Sequence, residues 1–164
     1  MIVRFREKRM QLSKGFDYAV RSLVFLALLS DGASAELRTI AESQNIPLSY
    51  LAKVMRNLVR GGLVSSTLGR DGGYCLRRAP EEITLMQVYA VIEGEMRLVE
   101  CMEDQKNCMF YKGCTQVSVW HKLKNAVEEI FRETTLKDLL PQPTGEQRLT
   151  QLKEKERKYA RAGA

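Results

Sequence analysis

Three of the four cysteines, Cys101, Cys108 and Cys114, fall in the fragment CMEDQKNCMFYKGC, spaced C-x₆-C-x₅-C. Thiolates at this density bind soft metals or exchange disulfides. Structural zinc usually takes two close pairs, C-x₂₋₄-C, that complete a four-ligand tetrahedron. With three sulfurs and no close pair, this segment fits zinc less well. An iron–sulfur cluster also takes thiolates and tolerates wider loop spacing, because each cysteine meets a different iron. Three cysteines plus one weaker ligand leave one iron exchangeable, which suits a sensor better than an electron carrier. The bland alternative is three small apolar residues in a core, as reduced cysteine often is. The intervening MEDQKN and MFYKG, loop-like and largely polar, argue against it.

Asp17 and His121 are the candidate fourth ligands. His121 lies seven residues past Cys114, two helical turns into the next helix, and a lone histidine on a helix is more often a surface or core residue. Asp17 is far in sequence, and an acidic residue in a first helix is usually just solvated. Cys75 alternates with Tyr74 and Leu76 on an expected strand and reads as packing, with incidental thiol reactivity.

The rest of the chain must position these groups. Its 164 residues, 45% hydrophobic and 28% charged, suit one modest soluble domain with room for an appended arm. MIVRFREKRM is too charged for a secretory signal, and no apolar run is long enough to span a membrane. The expected compartment is the cytosol, where thiols stay reduced and clustered cysteines read as metal-binding or redox-active. The net charge of +6 is uneven: residues 1–80 carry thirteen Lys or Arg against six Asp or Glu, residues 81–143 seven against eleven, and 144–164 six against three. A basic first half on an acidic second half predicts a polyanion-binding head on a body with another task. A merely solvated basic face is the competing reading.

Residues 16–28, FDYAVRSLVFLAL, place Phe16, Val20, Leu23, Val24, Ala27 and Leu28 on one helical stripe. A short helix follows in LRTIAESQ, with Ile40 and Ala41 inward and Asn45 suited to a left-handed cap. A third helix fits PLSYLAKVMRNLVRGG, with Pro47 near its first turn, an apolar face of Leu48, Leu51, Met55, Leu58 and Val59, and Gly61-Gly62 as its stop. Two extended runs, LVSST and YCLRR, flank LGRDGG, whose Asp71-Gly72 pair signals a hairpin. Thr84-x-x-Gln87 is a capping box that opens a helix closed by Gly94. A longer helix from about Thr115 carries Trp120, Leu123, Val127, Ile130 and Phe131 on one side, and a short helix in TLKDLL stops at Pro141. The remaining tail is charged and reads as a frayed or solvated arm.

Three helices followed by a glycine-rich hairpin is the order of a winged helix-turn-helix. Its third helix presents side chains to the major groove, and its wing reaches an adjacent groove or phosphates. The polar face of residues 47–60 offers Ser49, Tyr50, Lys53, Arg56, Asn57 and Arg60. Ser and Tyr can hold phosphates, while Lys, Arg and Asn can reach base edges. One amphipathic helix alone would read as a solvated face; the hairpin and the basic half of the chain favour nucleic acid.

The stretches MQLSKGFDYAVRSLVFLAL and LRTIAESQNIPLSYLAKVMRNLVRGGLVSSTLGRDGGYCLRRAPEEITLMQVYAVIEG, followed by the cysteine triplet, resemble the Rrf-two family of bacterial transcription regulators over residues 10–140. The triplet resembles that of its cluster-binding branch. The resemblance implies a mainly α fold with a small β-hairpin wing, a winged helix-turn-helix plus a long dimerisation helix. It divides the chain into an extension at 1–9, a DNA-binding head at 10–80, a linker helix, cysteine loop and dimerisation helix at 81–140, and a tail at 141–164. It also implies a homodimer on a roughly palindromic double-stranded operator. Cys101, Cys108 and Cys114 would hold an iron–sulfur cluster, 4Fe-4S by analogy with 2Fe-2S as the alternative, whose state tunes DNA binding.

The chain departs from that pattern in three places. The first cysteine gap is six residues where five is commoner. Val117 stands where one branch carries a ligand His; another branch uses an acidic residue in the first helix of the other subunit, so the resemblance points to the partner subunit's Asp17 as fourth ligand, with His121 or an open site behind it. Leu68 stands where the wing usually carries Arg, and Arg70 is the expected substitute for groove or phosphate contact. The expected function is a DNA-binding regulator, a repressor in type, that senses iron, nitric oxide or redox state. A cluster-free thiol–disulfide switch among the same cysteines is the alternative, and an electron-transfer module is a weaker one. Neither a nucleotide loop nor a catalytic constellation is present, so no enzyme, no small-molecule substrate and no membrane partner is expected.

Overall fold

The computed structural model describes residues 12–29, 33–67, 72–99 and 113–141. Ser13 opens α1 (Lys14–Ala27): its Oγ accepts the Phe16 N–H at 3.1 Å, pairing one of the donors a helix start leaves free. The buried stripe is Phe16, Ala19, Leu23 and Leu26. Leu28, read as inward from its spacing, is the C-cap residue and is exposed, because the helix ends at Ala27.

The short α2 (Leu37–Gln44) buries Ile40 and Ala41 and stops at Asn45, whose φ of 51° is left-handed. The chain turns through Ile46 and Pro47 into α3 (Leu48–Arg60). There Leu51, Val54, Met55 and Leu58 point into the core, and Gly62 at φ 72° ends the run. Leu48 stays outside, since the core face begins one turn later.

Strand β1 (Val64–Thr67) pairs antiparallel with β2 (Gly73–Leu76), with Val64 opposite Leu76 and Thr67 opposite Gly73. That register makes the connection residues 68–72, longer than the two-residue turn that Asp-Gly favours. The other edge of β2 is also used: Ala35 and Tyr74 exchange both backbone hydrogen bonds, at 3.0 and 2.8 Å. A Cβ at position 73 would come within 2.7 Å of the Ala35 carbonyl oxygen, so this close approach requires glycine. The head is thus a helix-turn-helix with its wing stitched to the segment before α2.

A 3₁₀ turn at Pro80–Glu82 leads to α4 (Leu85–Ile92). Thr84 Oγ1 accepts the Gln87 N–H at 3.3 Å while Gln87 Oε1 accepts the Thr84 N–H at 3.1 Å, the expected capping box. Helix α5 (Val117–Glu133) starts two residues later than its sequence suggested, and TLKDLL forms only a 3₁₀ turn at Lys137–Leu139. After α5 the chain returns to the start of α4. The Leu85 N–H donates to the Thr134 carbonyl and the Leu136 N–H to the Ile83 carbonyl, both at 2.9 Å.

One core runs through these elements, with Leu23, Ile40, Leu51, Met55, Leu58, Leu63, Ile83 and Leu136 almost wholly buried. Phe16, Tyr89 and Phe131, from α1, α4 and α5, close an aromatic cluster with centroids 5.4–5.8 Å apart. Burial raises the Tyr89 hydroxyl above its ordinary value, and the nearby Glu93 carboxylate adds to the shift.

Candidate nucleic-acid interface and cysteine site

Burying Leu51, Val54, Met55 and Leu58 turns the opposite face of α3 outward. Ser49, Tyr50, Lys53, Arg56 and Arg60 are exposed and Asn57 half-buried, at spacings that align them on one stripe. The helix carries three cations and no carboxylate. All six side chains that the sequence singled out on α3 therefore share one surface.

Tyr50 is less free than the others. Its ring meets Tyr18 of α1 edge-on, with centroids 5.3 Å apart and planes at 88°. Arg21, which sequence reasoning missed, organises this corner. Its guanidinium lies 5.9 Å over the Tyr18 ring, pairs with Asp17 at 3.6 Å, and donates to the Gln44 carbonyl. That carbonyl is one of those a helix leaves unpaired at its C-terminus, so Arg21 ties α1 to the end of α2 and fixes the turn that presents α3.

The wing projects beside α3. At the open end of its ladder the Gly73 N–H donates to Thr67 Oγ1 at 3.3 Å. Arg70 and Leu68, at the tip, lie outside the described residues.

Of the predicted ligands, Cys101 and Cys108 lie outside the described residues. Cys114 is a free, half-buried thiol three residues before α5 begins. Asp17 is 58% exposed, with its carboxylate held only loosely by Arg21, so it can turn to a ligand from outside its own helix. His121 is exposed on α5. Among the described residues no three His, Cys, Asp or Glu side chains converge on a metal position. The Cys114 thiol is the soft donor type that iron–sulfur clusters take, and the exposed Asp17 carboxylate is a harder and weaker one. Cys75 is half-buried on β2 and lines a cavity of about 560 Å³ with Leu26, Leu29, Arg78 and Lys137.

Helix α5 leaves its apolar residues largely uncovered. Only Phe131 is buried; Trp120, Leu123 and Val127 are half-buried, while Val119 and Ile130 are 56% and 59% exposed. Ile130 was read from sequence on the same face as Phe131; the head takes Phe131 and Val127, and Ile130 faces out. Polar side chains on the helix are linked by pairs from Glu128 to Lys124 at 3.6 Å and to Arg132 at 2.7 Å. Among the described residues no helix is long and apolar enough to cross a membrane.

Residues 12–142 match the family described as Rrf2, iron-dependent transcriptional regulator. The chain is 35% identical over 145 residues to the HTH-type transcriptional regulator NsrR of Halalkalibacterium halodurans, covering 88% of this chain and 99% of that one. Among solved structures it resembles CymR, the global cysteine regulator of B. subtilis, with a TM-score of 0.65 and 31% identity over 79% of this chain and 95% of that one. It matches IscR of T. potens equally in TM-score, 0.65, at 29% identity over 80% and 86% of the two chains.

Proposed function

The chain belongs to the Rrf2 family of transcriptional regulators, and from that premise we propose that it is a DNA-binding repressor whose operator affinity is set by an iron–sulfur cluster. The observation that supports DNA binding most directly is the outward stripe of α3, three cations and no carboxylate beside the wing. Lys53, Arg56, Asn57 and Arg60 read base edges or clasp phosphates, Ser49 and Tyr50 hold the backbone, and Arg70 brings the wing to a neighbouring phosphate. The open apolar line of α5 supports a homodimer, which sets two such heads on a palindromic operator. Such a regulator works in the cytoplasm, where the chromosome is.

The residues that would hold the cluster are Cys101, Cys108 and Cys114, with the partner subunit's Asp17 completing the set. A four-iron cluster suits three thiolates and a carboxylate, with a two-iron cluster as the alternative. When bound, the cluster supplies iron that can be lost or attacked by oxygen or nitric oxide. The chain's own part is to join the ends of the cysteine segment to the head. Met96 is buried in the core on one side, and Cys114 leads into α5 on the other. Purification without oxygen, with iron and sulfide analysis, tests this reading. A brown protein with iron and sulfide is expected, and Asp17→Ala should give a shorter-lived cluster. A colourless, iron-free dimer from reconstitution would end the cluster assignment. The likeness to CymR of Staphylococcus aureus, which has an oxidized form, supports thiol–disulfide switching as the second reading. Its signature is an iron-free protein whose operator binding still responds reversibly to peroxide.

A further inference from the structure

The end of α1, the wing strand β2, the 3₁₀ turn before α4 and the turn after α5 surround a cavity of about 560 Å³. Sites for small molecules commonly span about 300–1,000 Å³. Among the described residues, none of α3 lines this cavity, nor does Cys114 or Asp17. It is therefore separate from the outward stripe of α3 and from the described ligand candidates of the cysteine site.

Its lining divides into an apolar wall and a charged rim. The wall includes Leu26 of α1, which is buried, with half-buried Leu76 at the end of β2 and Leu140 after the last 3₁₀ turn. At the rim Lys137 and Glu81 pair at 2.9 Å, with side chains 60% and 51% exposed, so each neutralises the other. The charge left over is that of Arg78, which is half-buried. Among the described residues no carboxylate pairs with it. Its guanidinium makes one hydrogen bond there, a long donation of 3.5 Å to Gln87 Oε1. That oxygen already accepts the Thr84 N–H at 3.1 Å, as part of the α4 cap. A guanidinium carries five N–H donors in a planar fork, and here most of them lack an acceptor. A poorly paired cation in partial burial gains strongly from an anion that also displaces water from the wall.

We infer that this cavity is a binding site for a small monocarboxylate with an apolar body. The carboxylate takes the fork of Arg78, whose planar geometry matches two parallel N–H to oxygen bonds. The hydrocarbon part lies on Leu26, Leu76 and Leu140. One negative charge suffices, because Lys137 is already satisfied by Glu81. Inorganic phosphate matches the charge but has nothing to place on the leucines, and a neutral amide matches the shape but not the charge. A bound acid would touch α1, the wing strand β2 and the turn after α5 together. The Cys75 thiol lines the same cavity and so reports whether it is filled.

The test uses the full chain with carbon-13 in its leucine methyl groups. Phenylacetate and octanoate are the probes, at neutral pH where both are ionised, and phenylacetamide and inorganic phosphate are the controls. For acids of this size, dissociation constants on the order of 1–10 mM are expected. The methyl signals of Leu26, Leu76 and Leu140 should shift saturably with both acids. Iodoacetamide should then alkylate Cys75 more slowly, read by peptide mass, while Cys114 reacts at its usual rate. Arg78→Met should weaken phenylacetate about tenfold or more, the worth of a charged hydrogen bond. Arg78→Lys keeps the charge without the fork and should fall between. Absence of a saturable shift at about ten times those constants overturns the site. Equal binding of phenylacetamide or of inorganic phosphate overturns the ligand class, and unchanged binding by a folded Arg78→Met overturns the anion contact. If neither acid binds and Arg78→Met instead weakens DNA binding with a shallower salt dependence, Arg78 is a phosphate contact and the inference fails. Should Arg78→Met not fold, the comparison of phenylacetate with phenylacetamide on the parent chain decides alone.

Discussion

Phe131→Ala tests how α5 is held to the winged-helix head. The ring is 9% exposed, stacks on Phe16 at 5.4 Å with planes 15° apart, and meets Tyr89 edge-on at 5.8 Å. Truncating a buried phenylalanine costs about 3–5 kcal/mol through lost transfer energy and the cavity left behind. The two ring pairs, worth ~0.5–1.5 kcal/mol each, argue for the upper part of that range. The slightly open position of the ring argues the other way, because water or a neighbour can relax into the space. We expect about 3–4 kcal/mol, a large share of the ~5–15 kcal/mol that stabilises a typical domain.

The single tryptophan, Trp120, lies on α5 and makes the assay specific. Urea unfolding at fixed protein concentration should be followed by Trp120 fluorescence and by far-UV circular dichroism together. In the parent chain the two curves should coincide. In Phe131→Ala the Trp120 transition should move to lower urea and precede the loss of helix signal, because α5 leaves a head that is still folded. Pairing Phe16→Leu with Phe131→Leu should give a coupling of about 0.5–1.5 kcal/mol. A loss below about 1 kcal/mol for Phe131→Ala with coincident curves would refute the view that this aromatic cluster docks α5.

At Gly73, alanine would drive its Cβ within 2.7 Å of the Ala35 carbonyl. We expect about 1–3 kcal/mol of destabilisation and loss of the amide-exchange protection of Ala35 and Tyr74; full protection would show that β2 does not need that approach. Thr84→Ala removes one half of the capping box. It should cost about 1 kcal/mol in thermal or urea unfolding, and Thr84→Ser should restore most of it. In the C-terminal turn, a hydrogen bond from Lys137 holds the Glu81 carboxyl below its ordinary 4.5, and hydrogen bonds from Thr135 hold Asp138 below 3.8. Each folded-state value is depressed, so each contribution is present above the unfolded value and lost as pH falls through the folded one. The turn should stay docked near neutrality and loosen only in acid below those values. A carboxyl-carbon NMR titration placing either group at or above its ordinary value would contradict these contacts.

Features written in a few adjacent residues were the most legible. Asn45 in the left-handed region, the Gly61-Gly62 stop and the reciprocal Thr84–Gln87 cap all follow from chemistry within one turn. Periodicity located each main helix but did not always orient it. Residues 23–29 are apolar at every position, so spacing alone could not place Leu28 outside; on α5, Ile130 and Phe131 are adjacent apolar residues, and spacing did not choose between them. Two long-range pairings had no sequence signature, because a backbone hydrogen bond between Ala35 and Tyr74, or between Leu85 and Thr134, depends on no side chain. Arg21 escaped notice for the same reason: its main acceptor is the Gln44 carbonyl. The exposed face of α3 was legible in full, since burial of one stripe fixes the other. The cysteine site was legible only as spacing, and its described members, Cys114 and Asp17, are open groups.

The packing around α4 links the two halves of the molecule. At its start, Thr84 and Leu85 are pinned by the chain returning from α5; at its middle, Tyr89 completes the aromatic cluster. Toward its end, Val91 presses so closely on Gly61 that a Cβ there would come within 2.4 Å. Gly61 caps α3, so the last turn of that helix has no slack against α4. Beyond α4 the chain passes through buried Met96 toward the cysteine segment and re-emerges at Cys114 before α5. The described chain thus enters that segment from α4 on one side and leaves it into α5 on the other, and the two helices meet in the aromatic cluster. Close-packed interiors transmit displacements instead of absorbing them, and the Gly61–Val91 contact joins α4 to the end of α3. A tilt of α4 would therefore be felt both at the end of α3 and in the aromatic cluster that holds α5.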